Sequence, residues 1–281
     1  MKTLNLDIET KCNNNCLMCI APKLDFEITF DHIKNMIDKN KEINEIYLTG
    51  GEPTISKHLF KTIDYIKEKN SNTKINIVTN GRMMSNTQFI EKLHEKGIQK
   101  FILEIHGDTQ KLHEIITQTP KSFIQTIKGI KNIVSLDLPF EIRILVHKLN
   151  YKELKNISRL IAEKYENYNK LKVVLMPISY VNSAEKNKEK LFVSLTTIIE
   201  YIQKAIDILN EKNIAVKVYH IPFCFFEKRY WKYINEGITT KKINIYYPKE
   251  CEKCSYKIRC PGVWASYNKI NKLETIRPIT E

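Results

Sequence analysis

Residues 3–19 read TLNLDIETKCNNNCLMC, an apolar–polar alternation that runs straight into three cysteines at C-x3-C-x2-C spacing. The alternation over Thr3–Ile8 predicts a strand, and Cys12, Cys16 and Cys19 fall on the loop that follows it. Three thiolates on so short a loop suit a soft metal centre. They can hold three irons of a cubane 4Fe–4S cluster and leave the fourth iron open to an exogenous amine and carboxylate. A structural zinc site wants four protein ligands, and Asn13, Asn14 and Asn15 offer no obvious fourth.

Outward from this loop the chain alternates short β-branched runs with longer amphipathic ones. Further strand candidates are Glu45–Thr49, Lys74–Thr79, Lys100–Ile105, Phe140–Val146 and Lys172–Pro177, each bounded by polar or Gly/Pro residues. Helical patterns cover Phe30–Lys39, Lys57–Lys69, Thr87–Lys96, Ser122–Val134, Tyr151–Tyr168 and Ser194–Lys212. Within the fifth, Leu154, Ile157, Ile161 and Tyr165 form one apolar stripe. Six β-then-α units predict an α/β fold with a parallel sheet and right-handed crossovers. Six is short of the eight of a closed barrel, so a partial, TIM-like (β/α)6 barrel is expected over residues 1–214. A further strand candidate, Ala215–His220, leads out of it. After Pro222 the helical period fades and Tyr, Trp, Cys and Lys become dense. Residues 215–281 are therefore expected to form a small cysteine-rich domain, too short for much of a core without a metal staple.

Composition bounds the class. The chain has 281 residues, 42% hydrophobic and 10% aromatic, enough to bury a core and to exclude intrinsic disorder. No run approaches the ~18 apolar residues of a membrane span. The N-terminus lacks a signal-peptide pattern, so a cytoplasmic protein is expected. The net charge of +13 raises a nucleic-acid partner. The lysines, however, are interleaved with Glu, as in KELKNISRLIAEKYE, which is the pattern of a solvated helix face. The seven cysteines fall into two groups, Cys12–Cys19 and Cys224, Cys251, Cys254 and Cys260, which is a metal-ligand pattern rather than a disulfide framework.

Two more motifs complete the picture: TGGEP at Thr49–Pro53, directly after the second strand, and VTNG at Val78–Gly81, ending the third. Together with C-x3-C-x2-C after the first strand, they resemble the radical S-adenosylmethionine (SAM) superfamily. The resemblance covers roughly residues 1–214. It implies a 4Fe–4S cluster on Cys12, Cys16 and Cys19 that passes an electron to bound SAM. Cleavage then yields methionine and a 5′-deoxyadenosyl radical that abstracts hydrogen from a substrate. It places the methionyl amine against Gly50, Gly51, Glu52 and Pro53. Two glycines let backbone approach a ligand closely, and Glu52 can pair with an ammonium. Thr79 and Asn80, from the third motif, are candidate SAM contacts. Glu104 and His106 occupy the region that touches ribose, and Met176 with Pro177 the region that packs adenine. Arg143 can clamp the SAM carboxylate or be a strand-edge charge. His106 and Met176 can equally be core residues, and His94 and His113 are expected to face solvent.

The second cysteine group, C-x26-C-x2-C-x5-C, resembles the shortened, one-cluster (twitch/SPASM-like) auxiliary extension of many radical SAM maturases. A second, auxiliary 4Fe–4S cluster on Cys224, Cys251, Cys254 and Cys260 is expected, with a four-cysteine zinc site as the alternative. Cys224, outside the compact motif, can also be read as a small buried hydrophobe. A third reading makes it a thiol that returns a hydrogen atom to a substrate radical, as in some peptide epimerases of the superfamily. The family relation favours a peptide substrate and a crosslink, thioether or epimerisation. Because the chain starts directly in the first strand, no separate leader-peptide domain is expected. A small-molecule substrate (nucleoside, sugar or cofactor precursor) is the alternative. The electron donor is expected to be of flavodoxin or ferredoxin type, with neither membrane nor nucleic-acid partner. A zinc-containing nucleic-acid-binding protein and a simple electron-transfer iron–sulfur protein are the non-enzyme alternatives.

Overall fold

The computed structural model describes residues 2–22, 25–40, 42–237, 242–271 and 276–280. Its main sheet has seven strands in chain order: β1 (Thr3–Glu9), β2 (Glu45–Gly50), β3 (Lys74–Thr79), β4 (Ile98–Glu104), β5 (Phe140–Val146), β6 (Leu171–Pro177) and β7 (Ala215–Val218). The sheet is parallel and open, as the β/α alternation requires: each parallel neighbour needs a crossover, which the helices supply. It has one strand more than the six expected. β7 does not lead out of the sheet but pairs parallel with β6, Val173 opposite Val216 and Leu175 opposite Val218. Alternation alone could not show this, because a four-residue strand carries too little pattern to reveal its partner.

The crossover helices are α1 (Phe30–Asp38), α2 (Leu59–Lys69), α3 (Thr87–Glu95), α4 (Gln110–Thr117), α5 (Ser122–Ser135), α6 (Leu154–Lys164), the short α7 (Ser183–Lys186) and α8 (Lys188–Leu191), and α9 (Leu195–Glu211). Thr29, Asn86, Thr109 and Ser194 cap the N-termini of α1, α3, α4 and α9 by accepting from a backbone N–H in the first turn. The stripe Leu154, Ile157, Ile161 and Tyr165 is buried. Edge and centre differ as their positions demand. β1 buries only Leu6 and Ile8, whereas the middle strand β4 buries Phe101, Ile102 and Leu103 completely.

Two compact units make up the chain. The first is Met1–Cys16, Ala21–Ile105 and Thr109–Ile142; the second is Leu17–Ile20, His106–Asp108 and Arg143–Glu281. In the second unit the cysteine-rich segment adds a two-stranded antiparallel pair, β8 (Ile245–Tyr246) with β9 (Val263–Trp264), and a helix, α10 (Ala265–Ile270). The expected second domain, 215–281, is described except at 238–241, 272–275 and 281. Among the described residues no helix is long and apolar enough to cross a membrane.

Candidate active site and second cysteine centre

In the first unit, Gly50 ends β2 with φ +120°, and a Cβ on Gly51 would stand 2.2 Å from the Lys11 carbonyl oxygen. The Gly51 and Glu52 amides donate to the carbonyls of Glu9 (2.7 Å) and Lys11 (2.8 Å). Gly50–Pro53 thus lies directly on the chain that leads into Cys12. The immediate reason for both glycines is this contact with the protein's own backbone.

Glu52 is 1% exposed. Its Oε1 accepts from the Thr54 amide (3.1 Å), the Thr54 hydroxyl and the Thr79 hydroxyl (2.6 Å), and its Oε2 from the Asn80 amide (2.8 Å). Burial pushes its carboxyl up, and these donors oppose the rise. One carboxylate therefore ties the end of β2 to the end of β3, where Thr79 is the last strand residue. Glu104, half-buried, ends β4 in the same unit.

Asn80 turns its side chain toward the cysteine loop: Nδ2 donates to Asn13 Oδ1 (2.6 Å) and reaches Cys12 Sγ at 3.9 Å. Arg82, which no motif marked, reaches the same loop. Its guanidinium donates to the Asn13 carbonyl, to Asn14 Oδ1 (3.1 Å) and to Gln125 Oε1 on α5 (2.6 Å). Only its place immediately after VTNG signalled it. Cys12 is exposed and Cys16 half-buried. His113, expected to face solvent, is instead buried on α4, its ring 5.5 Å from that of Phe123. Burial holds its pKa down, to about 4.

In the second unit, Cys19 is half-buried on the Leu17–Ile20 segment. Asn182 and Asn187 hold that segment by donating to the Ile20 (2.7 Å) and Leu17 (3.1 Å) carbonyls. His106 is buried just past β4, and Met176 is half-buried near the end of β6. Arg143 sits mid-strand on β5, half-buried. β5 lies between β4 and β6, so Arg143 is not a strand-edge charge. Sequence reasoning missed His220 and Trp264. His220, just past β7, is buried at φ +57°. Its ring lies 3.9 Å from that of Trp264, whose indole donates to the Pro177 carbonyl at the end of β6 (3.0 Å). Burial, with Arg143 adding to it, lowers the His220 pKa to about 4, so the ring is neutral at pH 7.

The second cysteine group converges. Cys224, Cys251, Cys254 and Cys260 line one cavity, walled by Phe223 and Tyr256. Trp231 packs edge-on to both aromatic neighbours, 5.6 Å from Phe223 and 4.8 Å from Tyr256. Burial, aggravated by the other three sulfurs, pushes the Cys224 thiol up to about 12. Burial likewise raises Cys251 to about 11. The Gly262 amide donates to Cys260 Sγ (3.4 Å), and a Cβ at Gly262, φ +64°, would meet Ile245 at 2.4 Å.

All seven cysteines are described and none forms a disulfide. Among the described residues, no three His, Cys, Asp or Glu side chains are grouped to hold a single metal ion. A cubane takes one thiolate per iron and spreads them, so four sulfurs around one cavity fit it.

The profile of the Radical SAM superfamily matches residues 8–161. The chain belongs to the radical SAM superfamily. Similar sequences include the AdoMet-dependent heme synthase of Methanosarcina barkeri, 28% identical over 56% of this chain and 46% of that protein. GTP 3′,8-cyclase of Campylobacter jejuni is 31% identical over 55% of this chain and 48% of its own length. Among solved structures, Streptococcus suis SuiB bound to its precursor peptide SuiA shares the fold. Its TM-score is 0.62 at 17% identity, covering 77% of this chain and 48% of SuiB. This radical SAM chain spans about half the length of these relatives.

Proposed function

We propose that this enzyme modifies a peptide, using an auxiliary 4Fe–4S cluster on Cys224, Cys251, Cys254 and Cys260 within residues 215–281. The observation that carries the auxiliary cluster is the single cavity those four thiols line. The peptide substrate is supported by the resemblance of that cysteine pattern to the extension of peptide maturases. When bound, the first cluster and SAM supply an electron and a 5′-deoxyadenosyl radical. This chain's residues do the rest. Cys12, Cys16 and Cys19 hold the first cluster. The backbone of Gly50–Pro53, kept in place by Glu52, faces the methionyl amine. Thr79, Asn80, Glu104, His106 and Met176 line the nucleoside, and Arg143 meets the carboxylate. A flavodoxin- or ferredoxin-type protein delivers the electron.

A small-molecule substrate is the second reading, favoured by the sequence likeness to proteins named for heme synthesis and GTP cyclisation. Stimulation of 5′-deoxyadenosine formation by short peptides, with a mass change on the peptide, supports the first; stimulation by nucleotides alone supports the second. Cys224→Ala tests the ligand set. Loss of about four irons supports ligation, since each cubane holds four. A retained second cluster, with SAM cleaved and no product formed, favours the hydrogen-donor role.

A further inference from the structure

We propose that Arg82 is a positioning residue that clamps the Asn13–Asn15 spacer and fixes a positive charge beside the first cysteine loop, with Asn80 as its second jaw. This rests on Cys12, Cys16 and Cys19 being cluster ligands. Arg82 lies outside every motif that marks the superfamily in this chain, and the spacer between Cys12 and Cys16 carries no ligand of its own. The structure nevertheless ties down each spacer residue. Asn13 is held through its carbonyl by Arg82 and through its side chain by Asn80. Asn14 is held through its side chain by Arg82, and its amide donates to Cys12 Sγ (3.3 Å). The Asn15 amide donates to the Thr117 carbonyl at the end of α4 (3.0 Å).

The clamp is itself anchored. Gln125 on α5 accepts from Arg82 Nε, and Thr126, next along that helix, donates to the Asn80 carbonyl (2.8 Å). Gly129, one turn further, lets α5 come close, since a Cβ there would stand 2.5 Å from the Gly81 carbonyl oxygen. A planar guanidinium with donors in a fixed fork suits a task that spans a helix and two loop residues; a lysine offers a point charge only.

Two consequences follow for a cluster on this loop. Fixing the spacer pre-sets the approach of Cys12 and Cys16, so iron is retained longer. Charge and N–H···S hydrogen bonds beside the sulfurs favour the more negative, reduced state and raise its potential. Asn80, Asn14 and Arg82 all act in that direction.

The test compares wild type, Arg82→Gln, Arg82→Lys and Asn14→Ala as full-length protein, reconstituted anaerobically with iron and sulfide. Iron release to a chelator and the EPR-monitored reduction potential are the readouts. Removing an outer partner of a metal ligand typically weakens binding about 10- to 100-fold. About four irons, one cubane, should therefore leave Arg82→Gln and Arg82→Lys that much faster, while the remainder leave at the wild-type rate. Arg82→Gln should also shift to a more negative potential, and Arg82→Lys less so. Asn14→Ala, a change in a half-buried loop side chain that leaves the sheet intact, should speed release without removing the charge. A wild type with iron on this loop, but variants matching it in both readouts, overturns the clamp and leaves the cluster assignment standing. A wild type with no iron on Cys12–Cys19 overturns both.

Discussion

Replacing Glu52 with glutamine tests whether its carboxylate serves the fold or the ligand. Glu52 accepts from four donors, two of them backbone amides on opposite oxygens: Thr54 on Oε1 and Asn80 on Oε2. Glutamine keeps the shape but turns one of these oxygens into an NH2 group. The Thr54 and Thr79 hydroxyls can rotate to accept from it, but the amides cannot. Whichever way the side chain is flipped, one buried N–H faces a donor. A buried donor without an acceptor costs about 1–3 kcal/mol, and relief from burying a charge offsets part of this. On a urea slope of about 3 kcal/mol/M, a net loss of about 2 kcal/mol lowers the unfolding midpoint by roughly 0.7 M. Urea unfolding followed by circular dichroism, alongside equilibrium SAM binding, measures both roles. Glu52→Gln with the wild-type midpoint but no SAM binding would refute the argument, because the carboxylate would then act on ligand.

Two further outcomes follow from the same geometry. Gly51→Ala places a methyl 2.2 Å from the Lys11 carbonyl oxygen, so backbone must move. We expect about 1–3 kcal/mol of destabilisation together with loss of iron from the adjacent loop, whereas wild-type stability and iron content would show that the two segments are not in contact. Acid should unfold the protein early. Burial lowers His113 and His220 to about 4 and His147 to about 3, from 6.5. Folded pKa values below unfolded ones give stability that is complete above pH 6.5 and lost as pH falls toward 4. The urea midpoint should drop between pH 7 and 4.5, less steeply in His113→Gln; a flat profile counts against these burials.

The sequence revealed most where local pattern and chemistry coincide. The stripe Leu154–Tyr165 marked its helix because burial and period agree there. CNNNC and TGGEP marked two segments that the structure brings together, the Gly51 and Glu52 amides donating to the Glu9 and Lys11 carbonyls just before Cys12. β7 was misassigned because four residues cannot announce which strand they join. α4 was missed because Gln118–Lys121 separates it from α5 by a turn too short to show as a loop, and His113, a polar residue, hid its buried face. Arg82 and His220 were invisible for a different reason. Their roles come from partners 43 to 69 residues away in one case and from a strained backbone in the other, and neither leaves a periodic trace.

The central claim is that this chain holds iron on both cysteine groups and spends SAM through the first. The most direct measurement is iron content and 5′-deoxyadenosine formation after anaerobic reconstitution, with dithionite as reductant, in wild type and in the Cys12→Ala/Cys16→Ala/Cys19→Ala variant. The account predicts about eight irons and SAM cleavage in wild type, and about four irons with no cleavage in the variant, as two cubanes and one require. Zinc in place of iron, or a fully loaded wild type that leaves SAM intact, would contradict it.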